Sequence, residues 1–441
     1  MKNAVYIISL GCAKNLVDTE VMCGSLVTNG YFIAADERDA DICLINTCGF
    51  IHDARKESFD AIEWAKGWKG KSRRKIVVAG CLVQRNLKEL REKYPFVDLF
   101  IGLDDVEKLP ALLKDGNDVE AFDAPKYLYC DKTPRLTLTL PSMGYVKIAE
   151  GCDHRCAYCA IPFIRGAQRS RTIDSVEAEC RQLLAQGARE LNIIAQDTSR
   201  YGADLKDGTD LAKLLRRIDA LEGDFWIRVL YTHPLHLTDE LLEILGDSKH
   251  VLPYLDIPLQ HISTNVLKAM NRGMNGPDTK SLLEGIRKKY PQMVFRTTFM
   301  VGFPGETEED FAELLEFVKS FKFERMGAFA FSCEDGTAAA KIKDGIVPPE
   351  VAQQRLKKLL ETQQLISLQA NQLKIGEKVR VLLENRLDNR RWQGRTMADA
   401  PDVDQTVTVT TRRKLPADVE SAFVSARVSF AKEYDLECVE E

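Results

Sequence analysis

Apolar positions fall into short continuous blocks separated by stretches with helical spacing. In the first hundred residues, AVYIISLGC, DICLINTCG and KIVVAGC are Val- and Ile-rich runs, and NLVDTEVMCGSLVTNG and ARKESFDAIEWAKGW between them repeat apolar residues every three to four positions. Unbroken apolar runs of this length predict strands covered on both faces of a parallel sheet. The Asn29-Gly30 pair predicts the end of the first helix. Residues 1–125 therefore read as an N-terminal three-layer parallel α/β domain.

An irregular, Pro-containing stretch from about 123 to 142 reads as a linker. Six further strand candidates follow: YVKIAEG, ELNIIAQD, WIRVLYTH, YLDIPLQ, VFRTTFMVGF and MGAFAFS. The first five each precede a helical pattern, so residues 135–370 predict an open (βα)6 partial TIM barrel of α/β class, whose site would lie at the carboxyl ends of its strands. From Pro348 a long amphipathic helix leads into residues 373–441, where EKVRVLLEN, QTVTVTTR and AFVSARVSFA alternate as in a small C-terminal antiparallel β-barrel.

The chain of 441 residues is 45% hydrophobic, enough for several cores, and has no apolar run of membrane-spanning length. The opening MKNAVYIISLGC reads as a buried first strand, which predicts a cytoplasmic protein with no membrane contact. A net charge of −5 argues against a polyanion binder. Residues 371–441 carry 12 Lys and Arg against 13 Asp and Glu, unlike a domain devoted to gripping RNA. KGWKGKSRRK, residues 66–75, is the one basic run and reads as solvated surface.

Twelve cysteines without a disulfide-like spacing point to metal or redox chemistry. In GCDHRCAYCAIPFIRG, residues 151–166, Cys152, Cys156 and Cys159 follow the first barrel strand in a C-x3-C-x2-C loop that can wrap three thiolates around one face of an iron-sulfur cube, leaving one iron without a protein ligand. A zinc site completed by His154 is the alternative, although His154 sits only two residues from each neighbouring cysteine. Cys12, Cys48 and Cys81 stand at the ends of the three N-terminal strands, 36 and 33 residues apart. Parallel strands bring such positions to one sheet edge, so these three read as ligands of a second cluster. Cys23, Cys43 and Cys180 read as small buried apolar residues.

The loop, with Tyr158 in the aromatic position of C-x3-C-x-aromatic-C, resembles the motif of the radical S-adenosylmethionine (SAM) superfamily. The resemblance implies a 4Fe-4S cluster whose open iron chelates SAM and whose reduction releases a 5′-deoxyadenosyl radical. It implies SAM contacts from Tyr158, Gln196, Arg228 and the VGFPGET turn through Gly302, Pro304 and Gly305, with Asp197 and His261 as further polar positions at the mouth.

The three domains together resemble the methylthiotransferase family end to end, the last being similar to a TRAM domain that contains ADAPDVDQ. SLGCAKNLVDTE and NTCGFIHDARKES are similar to the branch that modifies the β-carbon of an aspartate in small-subunit ribosomal protein twelve; the alternative is the branch that modifies an adenosine of tRNA. The family implies two 4Fe-4S clusters, SAM as radical source and methyl donor, sulfide or polysulfide, and an external reductant such as flavodoxin or ferredoxin. It implies a substrate met on or near the ribosome, and no catalytic residue beyond the cluster ligands. Cys333 in FSCEDGT stands where relatives more often have proline.

Overall fold

The three N-terminal apolar runs form β1 (Ala4–Ser9), β3 (Ile42–Thr47) and β4 (Lys75–Gly80), with the two-residue β2 (Phe32–Ile33) after the first helix, α1 (Ala13–Thr28). The computed structural model describes residues 3–116, 121–412, 414–416 and 419–441. All six residues of β3 are buried, as expected of a central strand. Helices α2 (His52–Lys69) and α3 (Cys81–Lys93) cross between the strands, and β5 (Leu99–Ile101) and α4 (Leu109–Asp115) follow. The sheet is parallel in the order β2-β1-β3-β4-β5. The edge strands β2 and β5 are too short to register as periodic patterns, which is why only three strands are legible from sequence. Ile45, Val78, Leu82, Leu90 and Tyr94 lie in the core of this domain. As expected, α1 stops at Asn29, and Gly30 follows in the left-handed region with φ +83°.

The chain divides into two compact units, one of Met1–Leu138, Lys147–Arg171 and Glu334–Thr337, the other of Thr139–Val146, Thr172–Cys333 and Ala338–Glu441. Much of the linker packs within the first unit. Arg135 donates to the fully buried Glu20 through Nε and Nη2 at 2.9 and 2.5 Å, and the Leu138 N–H reaches the other Glu20 oxygen at 2.6 Å.

The six expected barrel strands are all present. Strand β6 (Met143–Lys147) leads into the cysteine loop with β7 (Ala149–Glu150), α5 (Ile161–Arg165) and β8 (Arg169–Ser170). Then come α6 (Ile173–Ala185), β9 (Glu190–Ile194), α7 (Leu211–Asp219), β10 (Trp226–Val229), α8 (Asp239–Asp247), β11 (Tyr254–Asp256), α9 (Thr264–Ala269), α10 (Gly276–Lys289), β12 (Val294–Val301), α11 (Glu308–Phe321) and β13 (Arg325–Ala330). The strands form two three-stranded sheets, β10-β9-β6 and β11-β12-β13, and an isolated parallel bridge joins Ile227 of β10 to Val251, three residues before β11. Strand order thus follows chain order, as in an open barrel.

Helix α12 (Pro349–Leu373) leads to β14 (Lys378–Arg386), β15 (Arg391–Thr396), β16 (Val407–Thr410), β17 (Ala422–Ala431) and β18 (Leu436–Glu440). These close into a five-stranded barrel around Trp392, Val407, Val409 and Val428. Its pairs are antiparallel except β16 with β18, which run parallel. Among the described residues, no helix is long and apolar enough to cross a membrane.

Candidate metal centre

Cys12 is the N-cap of α1, Cys48 follows β3 directly, and Cys81 is the first residue of α3. Because β1, β3 and β4 are adjacent and parallel, these positions meet at one sheet edge. The approach is tight enough to exclude side chains beside the cysteines. A Cβ on Gly80 (φ +97°) would stand 2.2 Å from Asn46 Oδ1, and one on Gly11 (φ +89°) would stand 2.8 Å from Cys48 Cβ and 3.1 Å from its sulfur. Only glycine meets both the backbone angle and the space. Cys48 is further fixed by Ser58, whose Oγ accepts from the Cys48 N–H at 3.0 Å and donates to its carbonyl at 3.1 Å.

The three thiols also sense one another. Burial, then the neighbouring Cys81 and Cys12, pushes the Cys48 thiol up to about 12. Burial raises Cys81 as well, against the pull of Arg165. Cys12 keeps solvent access; desolvation by the surrounding protein works against its thiolate, but Lys14, Arg165 and the backbone N–H groups of residues 14 and 15 bring it below its ordinary value. Two buried thiols, Cys48 and Cys81, whose ionisation is opposed first by burial and then by a neighbouring thiol, beside a Cys12 held low by cations, fit a polycationic metal cluster, which deprotonates its ligands outright.

Arg165, the last residue of α5, is the strongest polar contact of this set. Its Nε and Nη2 donate to Cys81 Sγ at 3.3 and 3.2 Å. The same guanidinium donates from Nη1 to both Glu150 oxygens at 2.9 Å and from Nη2 to Asp18 at 2.9 Å. Lys147 completes the group, 2.5 Å from Asp18 and 2.6 Å from Glu150. All four side chains are at least nine-tenths shielded from solvent.

Cys152, Cys156 and Cys159 occupy a loop fastened at its base. The Cys152 N–H donates to Gly166 O at 3.0 Å, and β7 pairs antiparallel with β8 just outside that bond. The Cys159 N–H donates to Cys156 O at 3.1 Å, a tight turn that holds the last two cysteines together. All three are half-buried, as are Tyr158 and His154. Ala160 and Ile164, which follow Cys159, pack in one buried cluster with Cys81 and Leu103. Both cysteine triads therefore belong to the first unit and share a wall of packed side chains. Next to Cys48, Arg85 donates to Gly49 O at 2.9 Å, and also to Glu334 at 2.9 Å and to Asp335 O at 2.9 Å.

Apart from Tyr158, the positions expected to contact SAM lie in the second unit. Half-buried Gln196 and buried Asp197 follow β9, where Asp197 caps a turn by accepting from the Ser199 N–H at 2.9 Å. His261 is buried, and its Nδ1 accepts from the Ser263 N–H at 3.0 Å. Two expectations need correction. Arg228 is wholly buried and reaches towards the amino end of β9, donating to Glu190 at 2.7 Å and to Met397 O at 2.9 Å, so its charge is neutralised away from the barrel mouth. The need for glycine at 302 comes from packing within the protein, because a Cβ there would meet Ala352 of α12 at 2.5 Å. The turn is instead held from within, with Glu306 accepting from the Gly302 N–H at 2.6 Å and from Arg355 at 2.9 Å. Pro304 is buried in that turn; Gly305 is exposed, and its N–H donates to Gly345 O at 2.7 Å.

Arg165, Glu150, Asp18 and Lys147 escaped the sequence reading. A usable signal was present: Lys147 interrupts an apolar strand, and a cation in a strand buried on both faces requires a buried partner.

Residues 4–102 match the uncharacterized protein family UPF0004, residues 146–318 the radical SAM superfamily and residues 375–439 the TRAM domain. The ribosomal protein uS12 methylthiotransferase RimO of Desulforudis audaxviator is 44% identical over 436 residues, covering 98% of this chain and 96% of its own. RimO of Desulforamulus reducens is 41% identical over 440 residues, with 98% of each chain covered. The chain belongs to the RimO family. It is thus a radical SAM enzyme of the transferase class, and the tRNA branch is not favoured. Among solved structures, the radical SAM methyltransferase TsrM from Kitasatospora setae matches with a TM-score of 0.54 at 14% identity, covering 75% of each chain. OxsB, a cobalamin-dependent SAM radical enzyme, matches with a TM-score of 0.52 at 13% identity over 82% of this chain and 57% of its own. Both likenesses concern the fold. RimO relatives align across both cysteine triads.

Proposed function

We propose that this chain is the methylthiotransferase of ribosomal protein uS12, acting on the β-carbon of an aspartate, and that Cys152, Cys156 and Cys159 hold one 4Fe-4S cluster while Cys12, Cys48 and Cys81 hold the other. The carrying observation is the shared wall between the triads, in which Cys81 packs against the residues that follow Cys159. When bound, the first cluster supplies the electron for SAM cleavage and the second a site for sulfur, so a C–H bond becomes C–S–CH3. The chain's own part is positional: a fastened loop, glycines that let the sheet edge close, and a guanidinium against one sulfur. Residues 1–125, 135–370 and 373–441 are read as the auxiliary-cluster, radical and TRAM domains of a cytoplasmic protein that draws electrons from a flavodoxin or ferredoxin.

The reading is tested by incubating anaerobically reconstituted, reduced protein with SAM, sulfide and either small ribosomal subunits or tRNA. Mass spectrometry should find the methylthio increment on uS12. Labelled tRNA beside unmodified uS12 would reverse the substrate assignment.

A further inference from the structure

We propose that Arg165 is a positioning residue that sets the reduction potential of the auxiliary cluster, by donating two N–H bonds to the Cys81 sulfur while tethered to the helix that follows the SAM-cluster loop. The inference rests on the assignment of Cys12, Cys48 and Cys81 to that cluster.

The geometry singles out Arg165 among the chain's many buried cations. Arg228, Arg325 and Arg395 meet carboxylates and carbonyls in the second unit, as structural ion pairs do. Arg165 divides its fork instead: one edge faces sulfur at 3.2 and 3.3 Å, and the remaining N–H groups are taken by Glu150 and Asp18 at 2.9 Å. Two carboxylates thus fix the plane of the guanidinium, and that plane fixes which sulfur it meets. Lys147 brings the quartet of side chains to neutrality, so the group survives burial without a net charge to solvate. Hydrogen bonds to a ligand sulfur draw electron density from the iron and make an added electron easier to accept. Arg165 also lies six positions after Cys159, at the end of the five-residue helix that follows the SAM-cluster loop, so the residue that meets Cys81 is joined directly to that loop.

The test uses two backgrounds of the full-length chain, each reconstituted with iron and sulfide. One carries C152A, C156A and C159A and keeps only the auxiliary cluster; the other carries C12A, C48A and C81A and keeps only the SAM cluster. Each cluster takes one electron from dithionite through mediators, without breaking a bond to protein, and electron paramagnetic resonance follows the midpoint.

Arg165→Lys keeps the charge but loses the fork, and should lower the auxiliary midpoint while leaving the SAM-cluster midpoint in place. Glu150→Gln leaves the guanidinium less neutralised and should raise the auxiliary midpoint. Opposite shifts confined to one cluster are not expected of a merely structural role. Equal midpoints in parent and both variants, or shifts of the same sign in both clusters, would overturn the proposal. If Arg165→Lys does not fold, Glu150→Gln decides alone, a rise supporting the proposal and an unmoved midpoint sinking it. A parent background that binds no cluster through Cys12, Cys48 and Cys81 would instead remove the assignment beneath it.

Discussion

Arg395 Nη2 lies 2.5 Å from Glu190 Oε2, joining a strand of the C-terminal barrel to the amino end of β9. Glu190 also accepts from Arg228 at 2.7 Å, and Arg395 donates to Glu384, which takes the Ser142 hydroxyl at 3.1 Å. Burial alone would raise the Glu190 carboxyl, but the two guanidiniums reverse that and hold it below its usual range. Glu190→Gln removes the charge that both arginines share. The expected cost is about 3 to 5 kcal/mol, the range for breaking a buried pair from one side. Urea unfolding checks it, and a loss below about 1 kcal/mol would show that the chain of charges relaxes into water.

Iron content should respond to the triads separately. The reconstituted parent should carry about eight irons per chain, from two cubes of four. Cys156→Ala should reduce this to about four, and so should Cys48→Ala, as measured by colorimetric iron analysis. Full retention after Cys48→Ala would remove the sheet-edge cysteines from the ligand set.

Gly80→Ala introduces a methyl group where the Asn46 amide oxygen already stands, at a backbone angle that alanine disfavours. We expect a loss of about 3 kcal/mol or more from combined strain and overpacking. Because Gly80 immediately precedes Cys81, the auxiliary cluster should be lost from any fraction that folds. Thermal melting and the visible spectrum test the two effects independently. Normal stability with a full spectrum would contradict the packing argument.

Stability at acid pH should carry the signature of His261. Burial, reinforced by Arg355 and opposed by Asp310, lowers its pKa from 6.5 to about 4. The folded state therefore holds the ring neutral, whereas the unfolded chain takes up a proton near pH 6.5. The associated stability is intact above pH 6.5 and is lost as pH falls through about 4, for a total of about 3 kcal/mol. His261→Asn keeps an acceptor near the Ser263 N–H without a titrating ring. Its decline between pH 6.5 and 4 should be shallower by that amount, and parallel profiles would exclude His261 as the cause.

Much of the architecture was legible because the signals are local. The six barrel strands and the three sheet-edge cysteines announce themselves through runs of a few residues at regular intervals. What escaped depends on contacts between distant positions. Asp18, Lys147, Glu150 and Arg165 share no spacing, and the cluster they form exists only once the segment from Lys147 to Arg165 lies beside α1. The VGFPGET turn was misread for a related reason: a glycine vacates space on behalf of whatever packs there, and sequence does not show that Ala352 of α12 fills it. Arg228 carried no mark distinguishing a mouth residue from a buried anchor, since the direction of its side chain is set by Glu190. The parallel β16–β18 pair was likewise hidden, because alternation along a strand does not record the direction of its neighbour.

The buried acids of α1 carry a consequence for biosynthesis. Glu20 meets Arg135 after 115 intervening steps of chain, and Asp18 meets Lys147 and Arg165 after 129 and 147. A nascent N-terminal sheet leaves the ribosome with its anions bare, and desolvating them without their cations is prohibitive. Translation must pass Arg171 before that unit can close, and the Glu334 clasp on Arg85 comes later still. Both thiol cradles therefore close only after Lys147 and Arg165 have been made, not while the N-terminal sheet stands alone.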